Sequence, residues 1–329
     1  MANLAATLGL AESTVSRALR DDPRISAATR ARVHEAALQA GYRPNAMVSA
    51  LMSVRRRHGN AKDVDTVALI TDYQGDGGWR SKDVCRWEYD GICKRADQLG
   101  YRIEEFALSN FDHDGSRLEK ALHTRGIRGV LLGFSRGRRE RVPFHTDSFS
   151  VAGLSAYFNE VLVDRANFHG LYNVRLALDQ MKHLGYERIG LAVPEFNNRI
   201  SGYQWSSGAL DWQRHQPRGK RCAPFIPPAD DSETEFVNWL DKEQPNALLA
   251  YKLPLQTWLR RQKRDIPLAY LYRTEAERRL APGIDGNLSL VGAAAFDLVV
   301  EALHTNRTGL PSHPKEVLIK GSWRTLQEG

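Results

Sequence analysis

Nine arginines and no lysine fall within the first sixty residues, against four acids (Glu12, Asp21, Asp22, Glu35), so this stretch carries +5 of the chain's formal +7. Hydroxyl side chains are interleaved with them: Ser13, Thr14, Ser16, Ser26 and Thr29. Guanidinium and hydroxyl groups at this density can neutralise and hydrogen-bond phosphate, and an arginine such as Arg17 can also pair bidentately with guanine. A solvated basic face has the same composition, so charge alone leaves both readings open. Other chemistries are poorly represented. Cys85, Cys93 and Cys222 have no CxxC spacing and the ten histidines form no HExxH pair, so neither a metal site nor a disulfide framework is expected. There is no P-loop and no GxSxG elbow. Glu104-Glu105 point to opposite faces of a strand and Asp112/Asp114 lie in a polar loop, so no catalytic residue is expected and no cofactor is implied.

The elements that must position the basic residues are three short helices. Leu4, Ala5 and Leu8 recur at helical spacing and stop at Gly9; a second helix is expected over Glu12 to Arg20, with Val15, Ala18 and Leu19 on its inner face. After Asp21-Asp22-Pro23, Ser26 can cap a third, which runs through Thr29, Val33, Ala36, Ala37 and Ala40 and closes at Gly41. A pair of helices around a tight glycine turn, followed by a third, makes a helix-turn-helix module.

The blocks Leu4-Ala5-Ala6-Thr7-Leu8-Gly9-Leu10, Ser13-Thr14-Val15-Ser16-Arg17-Ala18-Leu19, Ile25-Ser26-Ala27-Ala28-Thr29-Arg30 and Gly41-Tyr42-Arg43-Pro44-Asn45-Ala46 resemble, in order and spacing, the headpiece of the lactose-repressor family. That resemblance implies that Glu12, Ser13 and Arg17 face base edges in the major groove, with a solvated first-turn acid as the equal alternative for Glu12. It implies that Thr14, Ser16, Ser26, Thr29 and Tyr42 hold phosphates, and that Arg24 reaches a base or the backbone. Two positions depart from the family pattern: Asn3 stands where an acid is usual, and Ala11 replaces a capping serine, at a cost of ~0.5–2 kcal/mol of local stability.

Asn45, Met47, Val48, Leu51 and Met52 form a segment too short for a stable isolated helix. In the family this is a hinge helix, ordered when two subunits sit on DNA, with a leucine at the position of Leu51 wedged into the minor groove; a short apolar segment packed against the core is the alternative. The basic Arg55-Arg56-Arg57 and His58-Gly59-Asn60 that follow read as a linker. The expected division is a headpiece over residues 1–45, a hinge and linker over 46–63, and a core over 64–329.

In the core, short β runs alternate with helical stretches: Thr66–Ile70, Tyr101–Ile103, Gly129–Leu132, Ser150–Ala152, Ile189–Val193, Ala247–Ala250 and Leu268–Leu271. The expected fold is therefore an all-α helix-turn-helix headpiece on an α/β core of two lobes with doubly wound parallel sheets, split near Asn159. The family's core is of this kind, periplasmic-binding-protein-like, and His183–Gly190 and Gly283-Ile284-Asp285 match it. The resemblance places a ligand between the lobes, held by Arg199 and Asp164, with Trp79 nearby. Two positions are altered: Tyr251-Lys252 and Tyr272-Arg273 stand where amides and acids are usual. A cleft offering Lys252, Arg273 and Arg199 suits an anionic ligand, a sugar-derived acid, better than a neutral sugar. These cations could equally be solvated loop residues, and a core without ligand is the third reading.

A chain of 329 residues with 42% apolar and 26% charged residues has room for two or three globular domains. It shows neither a secretory signal nor an apolar run of membrane length, so a cytoplasmic, non-membrane protein is expected. The segment after Val317-Leu318-Ile319 is too short for a tetramerising heptad helix, so a homodimer on a pseudo-palindromic, double-stranded operator is expected. The resulting expectation is a sequence-specific transcriptional regulator, a repressor, whose operator affinity answers to a small effector. The alternatives are a ligand-independent regulator of the same fold, a solute-binding protein, or an enzyme on the α/β core.

Overall fold

In a computed structural model the described residues are 2–18, 25–39, 65–73, 77–135, 142, 144–158, 160–228, 232–274 and 277–326. The headpiece consists of α1 (Ala2–Leu8), α2 (Glu12–Ala18) and α3 (Ala27–Gln39). Its small core is made by Ala5, Val15, Ala18, Val33 and Ala37, with Leu8, Leu10 and Ile25 packed against it. Gly9 adopts φ +63°, a left-handed conformation that lets the chain turn from α1 toward α2. The far end of the expected second helix, Leu19 and Arg20, and the closing Gly41 lie outside the described residues.

The core contains two sheets. The first has the order β10-β5-β4-β3-β1-β2, all parallel, from β1 (Thr66–Asp72), β2 (Arg102–Ala107), β3 (Gly129–Ser135), β4 (Ser150–Leu154), β5 (Arg165–Phe168) and β10 (Glu316–Ile319). The second has the order β11-β9-β8-β7-β6, from β6 (Ile189–Ala192), β7 (Ala247–Ala250), β8 (Leu268–Tyr270), β9 (Gly283–Asp285) and β11 (Ser322–Arg324). It is parallel except at β11, which runs antiparallel to β9.

Alternation along β1 explains the layering: Val67 and Leu69 face one apolar cluster, while Ala68 and Ile70 face another. Helix α5 (Gly115–Thr124) covers the latter with Leu118 and Leu122. The opposite face takes α4 (Asp83–Leu99) and α11 (Leu288–Thr305). The second sheet is covered on one side by α6 (Gly170–His183) and α8 (Gln204–Arg214), and on the other by α9 (Glu233–Glu243) and α10 (Leu255–Arg261).

By length and composition α11 is the one helix among the described residues that could cross a membrane. Its Leu288, Val291, Ala295, Phe296 and Val299 are buried against the first sheet and α4, each large side chain contributing about 1.5–3 kcal/mol. The two helices cross at backbone distance because of two glycines. A Cβ on Gly91 would fall 1.9 Å from the carbonyl oxygen of Ser289, and one on Gly292 would fall 2.0 Å from that of Glu88.

One feature differs from the sequence expectation. The boundary between lobes lies beyond Phe168 rather than near Asn159, because β5 pairs with β4 and β10 in the first sheet. Its four residues include Arg165 and Asn167, so no apolar run announced it. The chain passes between lobes three times among the described residues, from β5 to α6, from β9 to α11 and from β10 to β11.

Candidate nucleic-acid interface and interlobe site

Helix α2 starts without a side-chain cap: the Ala11 carbonyl accepts from the amides of Thr14 (2.9 Å) and Val15 (3.0 Å). Because Val15 and Ala18 turn into the headpiece core, Glu12 and Arg17 are exposed and Thr14 is half-buried. Ser13 and Ser16 lie on the same helix. At the start of α3 the Ser26 hydroxyl accepts from the Thr29 amide (3.2 Å) and hydrogen-bonds the Thr29 hydroxyl (2.8 Å). The two hydroxyls thus form the cap expected of Ser26, at a helix start whose outward N–H groups favour an anion. Other basic residues hold the module together. Arg32 donates to the Leu8 carbonyl at the end of α1 (2.8 Å), and Arg30 to that of Ile25 (2.9 Å). Arg24, Tyr42, Asn45 and Leu51 lie outside the described residues.

Where the lobes meet, aromatic rings fill the space. Trp205 on α8 packs against Tyr251 (4.8 Å between centroids), Phe168 (6.0 Å) and Tyr272 (6.1 Å), and Tyr272 meets Phe168 at 5.2 Å. Pairs of this kind contribute about 0.5–1.5 kcal/mol each beyond area burial. Asn173 on α6 lies 3.5 Å from the Tyr272 hydroxyl. From the first lobe, α4 presents Cys85 and, one turn on, Glu88. Glu88 is 1% exposed; its Oε1 accepts from the Ser155 hydroxyl, and Tyr157 hydrogen-bonds the same carboxyl. The Cys85 thiol lies 3.1 Å from the Tyr157 hydroxyl.

Burial pushes the Glu88 carboxyl up to about 7, outweighing the hydrogen bonds from Ser155 and Tyr157 that pull it down. Tyr251 and Tyr272 are likewise raised, chiefly by burial, with the charge of Glu277 adding to the rise at Tyr251 and the hydrogen bond with Asn173 opposing it at Tyr272. Among the described residues three buried polar atoms have no hydrogen-bond partner, Glu88 Oε2, the Trp205 indole nitrogen and Arg273 Nε.

The residues expected to hold an effector do not converge. Tyr251 and Tyr272 are in the interlobe cluster. Lys252 is exposed, its ammonium 5.3 Å from the Tyr251 ring. Trp79 is a core residue of the first lobe, stacked on Phe134 at 4.3 Å with its indole N–H donated to Glu105 (2.7 Å). Asp164 belongs to the first lobe, although it follows the expected split near Asn159. At 2% exposed it accepts from the Lys315 amide (3.0 Å) and pairs with Arg307, which pins the start of β5 beside β10. Arg199 is exposed at the end of α7 (Glu195–Ile200). Arg273 turns toward the C-terminal segment, donating to the Thr325 carbonyl (3.4 Å). A cavity of about 320 Å³ opens between the β5–β10 edge and the turn at Gly202, and none of these seven residues lines it.

Glu88, Ser155, Tyr157, Asn173, Trp205 and Phe168 were missed by sequence reasoning. One signal was available: Cys85, Glu88, Ile92 and Ala96 share helical spacing, so Glu88 interrupts an otherwise apolar stripe.

Residues 1–45 match the family model described as "Bacterial regulatory proteins, lacI family". The HTH-type transcriptional regulator AglR of Rhizobium meliloti (strain 1021) is 60% identical over 42 residues, covering 13% of this chain and 12% of that protein. Over nearly the full chain the fold is similar to two solved structures. One is the transcriptional regulator CelR–cellobiose complex (TM-score 0.55, 17% identity, 99% of this chain and 98% of that one). The other is the lac repressor dimer bound to operator and the anti-inducer ONPF (TM-score 0.53, 17% identity, 98% and 97%). A regulatory protein of LacI family from Chloroflexus aggregans matches 80% of this chain and 98% of its own (TM-score 0.56, 13% identity). The headpiece, residues 1–45, is thus similar to the lacI family of bacterial regulatory proteins, and the two-lobed core has a fold similar to that of the solved regulators.

Proposed function

We propose that the protein is a sequence-specific DNA-binding transcriptional regulator, not an enzyme: a cytoplasmic, homodimeric repressor acting on a pseudo-palindromic operator. In this reading residues 1–45 bind DNA, 46–63 form the hinge and linker, and 64–329 sense a small ligand between the lobes. The observation that carries it is a lacI-type headpiece that leaves Glu12 and Arg17 exposed on α2. Arg17 reads guanine bidentately and Glu12 accepts from cytosine, each contact discriminating by about 1–3 kcal/mol, while Thr14, Ser16, Ser26, Thr29 and Tyr42 hold phosphates.

The core supports the sensing half of the reading, because Phe168 at the end of β5 packs against Trp205 and Tyr272 of the second lobe, where a ligand would change lobe closure. A ligand that favours one closure state shifts operator affinity by its differential affinity for the two states, and operator shifts ligand affinity by the same factor. Selection of bound sequences from a random duplex library, followed by mobility-shift titration of the recovered site, tests the reading. A two-fold-symmetric consensus retained by the full chain and lost on deleting residues 1–45 is expected. Equal affinity for consensus and scrambled duplex would refute it.

A further inference from the structure

The strands of the second sheet begin at a strongly basic end. Residues 182–188, 241–246 and 260–267 lead into the parallel strands β6, β7 and β8, so they lie at the opposite end of the sheet from Tyr251 and the lobe interface. A fourth segment, residues 214–221, runs from the end of α8 through a short 3-10 turn (Arg218–Lys220) and is tied to the same end. Arg188 donates to the carbonyls of Gly219 (2.6 Å) and Glu243, Lys182 donates to the Gln216 side chain (2.8 Å), and Lys220 pairs with Glu187. Arg264 pairs with Asp241, which joins the segment before β8 to the one before β7. The four segments hold eleven lysines and arginines against four acids, a net +7. Residues 61–329 as a whole carry only +2, the chain's +7 less the +5 of the first sixty, so the rest of the core is net negative. Cations in the last turn of a helix answer its dipole, which accounts for Lys182, Arg214, Lys242, Arg260 and Arg261. It does not account for Arg218, Lys220, Arg221, Lys263 and Arg264, which lie beyond the helix ends. Arg214, Arg218, Lys242, Arg260 and Lys263 are exposed, and among the described residues none of them pairs with a carboxylate.

We propose that this end of the second lobe is a docking surface for a nucleic-acid backbone, a second duplex segment besides the one bound by the headpiece, with Arg218, Lys242 and Lys263 among its phosphate contacts. A protein partner is held by an apolar or aromatic centre with charges at the rim. Here Leu184 is the one large apolar side chain exposed on the four segments. A phosphate backbone asks for no such centre: cations that displace its counterions are enough, and seven of the eleven are arginines, whose fork fits phosphate oxygens. The carboxyl ends of α6, α8, α9 and α10 repel phosphate with roughly −0.5 charge each, about −2 together, and leave the end well positive. No helix begins on these segments except the 3-10 turn, so none offers its first residues to a groove, and the contact carries no sequence preference.

The test is fluorescence anisotropy of a labelled scrambled duplex of about 30 bp with the full chain, at roughly 50 to 300 mM KCl. The variant Arg218→Glu/Lys242→Glu/Lys263→Glu is compared with Lys94→Glu/Lys120→Glu/Arg128→Glu, which makes the same charge change at exposed positions of the first lobe. The first variant should lose about tenfold or more in affinity at low salt, and the slope of log K against log salt should flatten by about two to three, at ~0.9 per phosphate contact. The second should stay close to wild type. Alanine at the same three positions of the second lobe guards against loss of fold and should move both quantities in the same direction. Consensus and scrambled duplexes should lose the same factor, so the preference set by the headpiece is kept; absence of any preference in the wild type refutes the operator reading and not this one. Equal losses in the two glutamate variants, or duplex binding unchanged in the first, overturn the proposal. Poly-glutamate that competes as well as duplex, and is released by the second-lobe variant, overturns it in favour of an acidic polypeptide.

Discussion

The Glu88→Gln substitution removes a titration that burial has moved into the neutral range. The folded protein holds the Glu88 proton up to about 7, whereas an ordinary glutamate loses it near 4.5. A folded-state value above the unfolded one means that the stabilising contribution is fully present below 4.5 and is lost as pH rises to about 7. The interval of about 2.5 pH units, at ~1.36 kcal/mol per unit, gives a loss of about 3 kcal/mol. The groups facing this carboxyl do not confuse the measurement. Burial pushes Cys85 up to about 12, and Tyr157, Tyr251 and Tyr272 are all raised above the ordinary tyrosine value; Lys252, which also acts on Cys85, is common to both proteins. The assay is urea unfolding of the full-length wild type and Glu88→Gln, followed by tryptophan fluorescence at pH 5, 6, 7 and 8. The variant's stability relative to wild type should increase with pH, by about 3 kcal/mol at most, and level off above pH 7. A relative stability that is flat in pH, or that falls, would refute the burial argument.

In the headpiece, Arg17→Ala should relax base preference at one operator position by about 1–3 kcal/mol, read as a loss on the consensus duplex with little change on scrambled DNA. Ala11→Ser supplies α2 with the missing cap oxygen and should raise the headpiece melting transition, by ~0.5–2 kcal/mol in stability, without altering the consensus. Gly292→Ala forces a methyl group against the Glu88 carbonyl and should destabilise the core by ~1–3 kcal/mol or more in denaturant titration, with headpiece melting unchanged. Asp164→Ala removes the acceptor of the Lys315 amide and should cost ~1–3 kcal/mol of core stability while leaving calorimetric ligand affinity intact; a selective loss of affinity would return Asp164 to the ligand site.

The parts of the molecule legible in the sequence are those whose pattern is set locally. The three headpiece helices have their apolar positions at helical spacing and a glycine at the first turn, and Ala247–Ala250 is a strand with the bounds its apolar run gives. What was not legible depends on partners far away in the chain. Strand β5 exists because β4 and β10 lie on either side of it, and its Arg165 is held by the carbonyls of Ser155, Tyr157, Phe158 and Val161 rather than by any local pattern. Asp164, Arg199 and Arg273 were placed by analogy to loop positions, and loop geometry decided otherwise: each points at a backbone carbonyl, an ion-pair partner or solvent instead of the lobe interface. Glu88 could have been found, because a carboxyl within the apolar stripe of a helix requires a reason.

The three passages of the chain between lobes bear on how the protein is made. The headpiece helices span residues 2–39 and close their core from adjacent sequence, so this module can fold as soon as it leaves the ribosome. Neither lobe has that freedom. The first sheet lacks its edge strand until Glu316–Ile319 has been synthesised, and the second lacks Ser322–Arg324. Nascent chains arrested anywhere between α6 and α11 therefore carry a folded headpiece on an unfinished core with open strand edges, a state that draws chaperones and proteases. A nonsense mutation before residue 316 should accordingly yield little accumulated protein, whereas a release point just after the headpiece should give a small, persistent fragment.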